Sequence, residues 1–284
     1  MIVHRIEGIL TALSPVFQGG NEKTGSTVLL NRLKFVVGDK PTDVPIISGN
    51  SMRGRMRRFI TRDFLEKVGY TMDLSQKSYQ KLYHTLFAGG VLTSAEEESA
   101  SGTIDLSLKS KLIKYVLPLR LFGASYSNQM IEGRALVGHM LPICRELKEY
   151  TGIDSDISFY QLITRAFQTR RDELRTSSKK DDEDDETVQM IIDYECFAPG
   201  TKFVHEIILT TTTESETIDL STLYMTIELW KQAPTIGGKS SVGFGKLKIE
   251  YKWPKDVSDG PYLDFIDKNK GEISKALDEL REAL

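Results

Sequence analysis

VQMIIDYECFAPGTKFVHEIILTTT, residues 188–212, reads as two strands in succession. In the first, Val188, Met190, Ile192, Tyr194 and Cys196 alternate with Gln189, Asp193 and Glu195. In the second, Phe203, His205, Ile207 and Leu209 alternate with Val204, Glu206 and Ile208. Period-two alternation marks strands with one buried face. Residues 2–13 (IVHRIEGILTAL) are β-branched, partly alternating, and predict a further strand, which the Gly19-Gly20 pair ends in a loop. Residues 247–251 alternate again and predict a last strand. Between these lie helical patterns. Met52, Met56, Phe59, Ile60, Phe64, Leu65 and Val68 recur at spacings of three and four, with Asn50 or Ser48 as N-cap and Gly69 as stop. Tyr79 to Phe87 predicts a second helix, halted at Gly89-Gly90. Residues 157–168, 219–232 and 271–284 also read as helices. Strands at both ends, helices between and mid-chain hairpins predict an α+β fold with a mostly antiparallel sheet.

The 284 residues carry a net charge of −3, but the charge is divided. Residues 1–171 hold 23 Lys+Arg against 16 Asp+Glu, and residues 172–284 hold 14 against 24. A basic first part is compatible with an anion site. Residues 172–187, which contain the acidic run Asp181 to Glu186, lack the apolar content to bury themselves and predict disorder when nothing is bound. Residues 93–103 predict a mobile loop. No run of 18 apolar residues and no secretory leader pattern occurs, so neither a membrane partner nor export is expected. Cys144 and Cys196 stand far apart with no CxxC pairing, which fits a reducing, cytoplasmic setting.

Two segments carry chemistry. In ISGNSMRGRMRRFITR (47–62), Arg53, Arg55, Arg57, Arg58 and Arg62 follow a Gly/Ser/Asn turn at a helix start. Unpaired N–H groups and the positive end of the helix dipole suit a phosphate there. The alternative is a solvated basic face paired with Asp63 and Glu66. In IGGKSSVGFGKLKIEY (236–251), Gly238-Lys239-Ser240 fits the end of a P-loop, but Ala233 stands where its first glycine belongs. A helix also precedes the loop and a strand follows it, the reverse of the P-loop order, so nucleotide hydrolysis is excluded. A glycine-rich turn can still cradle a backbone phosphate. The four histidines are scattered, and no HExxH, GxSxG or paired-carboxylate motif appears. No catalytic residue, metal or cofactor is expected.

The order of the segments LSPVFQGGNEKTGS, ISGNSMRGRMRR, LFGASYSNQMIEGRALVGHMLP, APGTKFVHEIIL and IGGKSSVGFGKLKI resembles the RAMP superfamily over about residues 1–252. The likeness is to the multi-copy backbone subunit of class one CRISPR effectors, strongest for type IV, with type III and type I-D relatives behind. It implies one domain over 1–284: a modified ferredoxin-like (RRM-like) palm, a helical insertion at 69–118, a β-hairpin thumb at 165–190 and a C-terminal helix at 261–284. It also implies copies stacked along one guide RNA (crRNA), other effector subunits as partners, and a complementary target met through the guide. Each thumb would fold over the RNA and kink a base at regular intervals.

By position, Ser48, Asn50, Ser51, Arg53, Arg55, Arg57 and Arg58 would hold guide phosphates. So would the loop of Gly237, Gly238, Lys239, Ser240, Ser241 and Gly243. Arg170, Arg171, Lys179 and Lys180 would belong to the thumb, and Gly19, Gly20, Asn128 and Gln129 would add contacts. Type III relatives that cut target RNA carry an aspartate in the loop after the first strand. The matching stretch, Glu22 to Leu30, has none. The implied subunit is therefore non-cleaving, with metal-dependent target cleavage as the alternative.

Overall fold

The computed structural model describes residues 1–25, 27–90, 105–126, 129–170, 190–254 and 256–284. The expected loop at 93–103 and the expected disorder at 172–187 lie outside the described residues.

In chain order the strands and helices begin with β1 (Ile2–Ala12), β2 (Gly19–Thr24), β3 (Thr27–Leu30), β4 (Arg32–Val37), β5 (Lys40–Pro45), α1 (Gly49–Val68) and α2 (Lys77–Ala88). Next come α3 (Leu106–Tyr115), α4 (Leu117–Phe122), β6 (Ala124–Tyr126), β7 (Gln129–Ile131), β8 (Ala135–Val137), β9 (Leu141–Pro142) and α5 (Lys148–Thr151). The chain closes with β10 (Ile163–Arg170), β11 (Met190–Phe197), β12 (Lys202–Thr211), α6 (Glu216–Gln232), β13 (Leu247–Tyr251) and α7 (Gly260–Ala283).

The main sheet runs β13-β1-β12-β8, with β9 also on β12, and every pairing in it is antiparallel. If β1, α1, β8, β12, α6 and β13 are taken as the β-α-β-β-α-β series of a ferredoxin-like fold, the strands lie in the order fourth, first, third, second. The α+β, RRM-like architecture expected from the sequence is thus present. Its inner face is set by alternation: Ile6, Leu10 and Ala12 of β1 are buried, as are Phe203, Ile207 and Leu209 of β12. In register Ile6 stands opposite Ile207 and Leu10 opposite Phe203. Met52, Met56, Ile60 and Phe64 of α1, Leu223, Ile227 and Trp230 of α6, and Ile273, Leu277 and Leu280 of α7 fill the same core.

A second sheet, β10-β11-β3-β2, holds one parallel contact, Tyr194 opposite Val28. Its antiparallel pair β10–β11 contains the described ends of the expected thumb, residues 165–170 and 190; the rest of that segment lies outside the described residues. Three sequence expectations change here. Residues 157–168 are not a helix: a 3-10 turn at Phe159–Leu162 leads directly into β10. The spacing of Phe159, Leu162, Ile163 and Ala166 suits a helix. However, β-branched Ile163, Thr164 and Thr169 favour a strand once β11 supplies the ladder. Gly19-Gly20 opens β2 rather than standing in a loop. The last helix begins at Gly260, eleven residues before the periodic stretch 271–284 though close to the C-terminal helix expected at 261–284, with Pro261 in its first turn, where a missing N–H costs nothing.

Two polar groups lie inside this frame. Asp219, 2 % exposed in the first turn of α6, pairs with Arg120 of α4 (2.6 Å) and with Arg134, and accepts from Thr211 Oγ1 (2.5 Å). Burial lowers the Arg120 pKa, with Asp219 opposing that shift. His205 of β12 is fully buried; the Tyr251 hydroxyl meets its Nδ1 (2.6 Å), and its Nε2 faces the Gly138 carbonyl (3.2 Å). Only glycine lets the Tyr251 ring cross β1 at Gly8, where a Cβ would strike that ring.

Burial lowers the His205 pKa to about 4 from an ordinary value of 6.5. The unfolded chain therefore takes up a proton below pH 6.5 that the folded chain refuses until about pH 4. Stability should be constant above pH 6.5 on this account and fall as pH drops toward 4, by on the order of 3 kcal/mol in all. Denaturant melts of wild type and His205→Gln across this range measure it. The variant, though less stable at neutral pH, should lose that part of the acid slope, and an unchanged slope would refute the assignment.

Cys144 and Cys196 are both free and buried, and burial pushes their thiol pKa values up to about 11 and about 12. Among the described residues no helix is long and apolar enough to cross a membrane.

Candidate nucleic-acid interface

The basic helix α1 starts where the sequence places it. Ser48 is the N-cap, accepting from the Ser51 N–H (3.2 Å), and Gly69 closes the helix at φ 78°, the left-handed conformation that glycine adopts freely. Ser48 is also held in a reciprocal pair with Gln18: its N–H donates to Gln18 Oε1 (3.0 Å) and its Oγ accepts from Gln18 Nε2 (2.9 Å). Gly49 presses against the Val137 and Gly138 carbonyls, where a Cβ would collide, and its N–H donates to His139 Nδ1 (3.0 Å).

The glycine-rich loop docks on the neighbouring residues. The Gly238 N–H donates to the Phe17 carbonyl and the Gly245 N–H to the Pro15 carbonyl (both 2.8 Å). Gly237 has φ 79° and lies so close to the Phe17 carbonyl that any side chain would clash. Residues 15–18 therefore hold both the loop and the N-terminus of α1. Between them opens a polar cleft lined by Ser51, Arg55, Arg58, Thr235, Ile236, Gly237 and Ser240.

The arginines divide by helical phase. Arg57 falls on the buried stripe with Ile60 and Phe64, and it is 6 % exposed. It donates to the carbonyls of Phe122 (2.6 Å) and Gly123 (2.9 Å). Burial, and then the charge of Arg53, lower its pKa to about 10. Arg53 turns toward the same Phe122 carbonyl, and burial lowers its pKa. Arg57, expected to hold a phosphate, instead has its guanidinium on the carbonyls at the C-terminal end of α4 and is not among the residues lining the cleft.

Arg55 and Arg58 do face the cleft. Arg55 donates to Thr235 Oγ1 (2.5 Å) and stacks on Phe59 at 4.7 Å. Its pKa is lowered by burial first, then by Arg58 and Arg62. Arg58 and Arg62 are exposed and make no ion pair among the described residues. Asp63, the acid that a solvated face would offer them, instead pairs with Lys67 and accepts from the Tyr262 hydroxyl (2.8 Å). A cleft with clustered cations, hydroxyls and open backbone suits a phosphate group.

The other named residues take various places. Asn50 is exposed on the first turn of α1; Ser241 and Gly243 are exposed on the loop, and Gly19 lies exposed and Gly20 half-buried beside it at the start of β2. Lys239 is not part of the cleft lining; it donates to Gln168 Oε1 (2.7 Å) and lies over the Tyr194 ring at 4.0 Å. Gln129 accepts from the Tyr126 hydroxyl (3.2 Å) in the β6–β7 hairpin, away from the cleft lining. Arg170 ends β10, opposite Met190. Asn128, Arg171, Lys179 and Lys180 lie outside the described residues.

Sequence reasoning missed Asp193. The segment Glu22 to Leu30 carries no aspartate, but Thr27 Oγ1 donates to Asp193 Oδ2 (2.7 Å) across from β11. Asp193 is 8 % exposed, and its Oδ1 has no hydrogen-bond partner among the described residues. Among the described residues no group of three His, Cys, Asp or Glu side chains comes within reach of one ion.

Neither a family model nor a curated protein matches the sequence. Solved structures do match the fold. A chain of the structure titled "Type IV-B CRISPR Complex" aligns with a TM-score of 0.61 at 17 % identity, over 90 % of this chain and 97 % of that one. This chain shares that chain's fold. At this identity the likeness concerns the path of the backbone rather than individual side chains.

Proposed function

We propose that this chain is a non-catalytic, guide RNA-binding backbone subunit of a CRISPR effector complex of the type IV kind. It would assemble in several copies along one RNA, beside other effector subunits, and meet a complementary target only through that RNA. The observation that carries the reading is the cleft between α1 and the glycine-rich loop, where Arg55 and Arg58, unpaired with any carboxylate among the described residues, stand beside Ser51, Ser240 and Gly237. Backbone phosphates are the ligand that such a cleft suits, because cations and N–H groups neutralise phosphate without reading base edges. The fold shared with a chain of a type IV-B CRISPR complex supports the same reading.

The test is direct. Protein purified at low salt should carry RNA, with absorbance at 260 nm well above that of protein alone. Ribonuclease should lower that absorbance and collapse extended assemblies. A dimer that persists unchanged through ribonuclease treatment contradicts the proposal. With magnesium or manganese, a bound RNA and its complement should stay intact. Regularly spaced cuts that disappear in Asp193→Asn would overturn the non-cleaving part alone and assign the carboxylate to β11.

A further inference from the structure

Lys239 presents a contradiction between its sequence context and its position. It stands in the middle of the glycine-rich loop, where a phosphate-binding lysine belongs, yet its ammonium is turned away from the cleft. Its backbone adopts φ 62°, the left-handed region that lysine rarely enters, although the loop uses glycine at its other left-handed positions, Gly237, Gly243 and Gly245. A glycine would sit there without strain, so the reason for the lysine lies in its side chain. That side chain reaches the β10–β11 hairpin, donating to Gln168 Oε1 on β10 and covering the Tyr194 ring on β11. Tyr194 in turn meets Phe17 edge-on at 4.9 Å, and the Phe17 carbonyl receives the Gly238 N–H. Loop, hairpin and the residues that hold the start of α1 thus close one connected ring of contacts.

We propose that Lys239 is a positioning residue, a strap that fastens the glycine-rich loop to the β10–β11 hairpin, so that the RNA strand held by the loop and the hairpin beside it are placed together. This rests on the RNA-binding reading above for its consequence, though not for its geometry. The coupling is a linkage: whatever RNA contributes by ordering the loop is transmitted to the hairpin, and the reverse holds equally.

Lys239→Met and Gln168→Leu each break the strap from one side. Without RNA, both variants should show faster amide hydrogen exchange at residues 236–245 and along β10, with the core of the main sheet unchanged. Unchanged exchange in both overturns the strap, whatever RNA does. With single-stranded RNA, each should bind roughly threefold to tenfold more weakly. The double variant should bind no more weakly than Lys239→Met alone, because Gln168→Leu removes a contact that the lysine variant has already lost. The salt dependence should keep the wild-type slope, since no phosphate loses its partner. A shallower slope in Lys239→Met, with Gln168→Leu binding as wild type or tighter, would make Lys239 a phosphate ligand and overturn the proposal. Wild-type protein that binds no RNA would overturn the function and leave the strap to be decided by the exchange measurement.

Discussion

Asp219→Ala should lower the unfolding free energy by about 3–5 kcal/mol, the cost of leaving buried charge without its counter-ion. Arg120 is almost fully buried and Arg134 largely so, and Asp219 is the carboxylate that meets both. It also receives the Thr211 hydroxyl, so its removal leaves three donors facing an empty site. Three segments meet at this group: α4 brings Arg120, the turn before β8 brings Arg134, and the first turn of α6 brings the aspartate. An acid in that first turn is further favoured by the helix dipole. Against a typical total of about 5–15 kcal/mol, the loss should be plain as a lower urea midpoint, followed by circular dichroism. A change below about 1 kcal/mol would mean that water already reaches the pair and that it behaves as a surface ion pair.

The largest effect on binding is expected from Arg55→Ala combined with Arg58→Ala. These two guanidinium groups face the cleft, and among the described residues no carboxylate pairs with either. Removing two charge-assisted contacts should cost about 3 kcal/mol or more, on the order of a hundredfold in affinity for single-stranded RNA. The slope of log affinity against log salt should become shallower by about 1.4, two contacts at about 0.7 each for a single strand. Arg57→Ala is the internal contrast. Its guanidinium serves the Phe122 and Gly123 carbonyls, so the variant should lose about 2–4 kcal/mol of stability. Where it remains folded, its salt slope should match wild type. If Arg57→Ala flattens the slope and the double variant does not, the division of the arginines drawn from their burial is wrong.

Much of the fold could be read locally because one buried face leaves a local trace. The alternation in β1 and β12 and the three-and-four spacing of α1 each report one face, whereas β11 buries neighbours Asp193 and Tyr194 alike; Ser48 and Gly69 mark the ends of α1 by their own chemistry. The strand β10 could not be read in this way, since its apolar spacing suits a helix and only its partner, β11, decides otherwise. The first half of α7 was hidden by its polar surface, Asp264 to Lys270, which resembles a loop when the buried Tyr262 and Ile266 are not known to face inward.

At the candidate site, composition marked the helix that lines the cleft but not which of its arginines face it. Five arginines in ten residues look alike in composition, although the signal was present in phase, since Arg57, Ile60 and Phe64 follow one another at spacings of three and four. The contacts of Lys239 with Gln168 and of Asp193 with Thr27 cross 71 and 166 residues, and nothing local announces them. Both depend on where β10 and β11 lie in the second sheet, which is a property of the assembled sheet.

On the reading proposed above, this chain grips RNA by its backbone. The most direct test is a titration of the purified, ribonuclease-treated protein with two single-stranded RNAs of equal length and unrelated sequence, repeated over a range of salt concentrations. The account predicts equal affinities and the same linear fall of log affinity with log salt for both RNAs. Binding confined to one sequence, binding indifferent to salt, or no binding to either would contradict it.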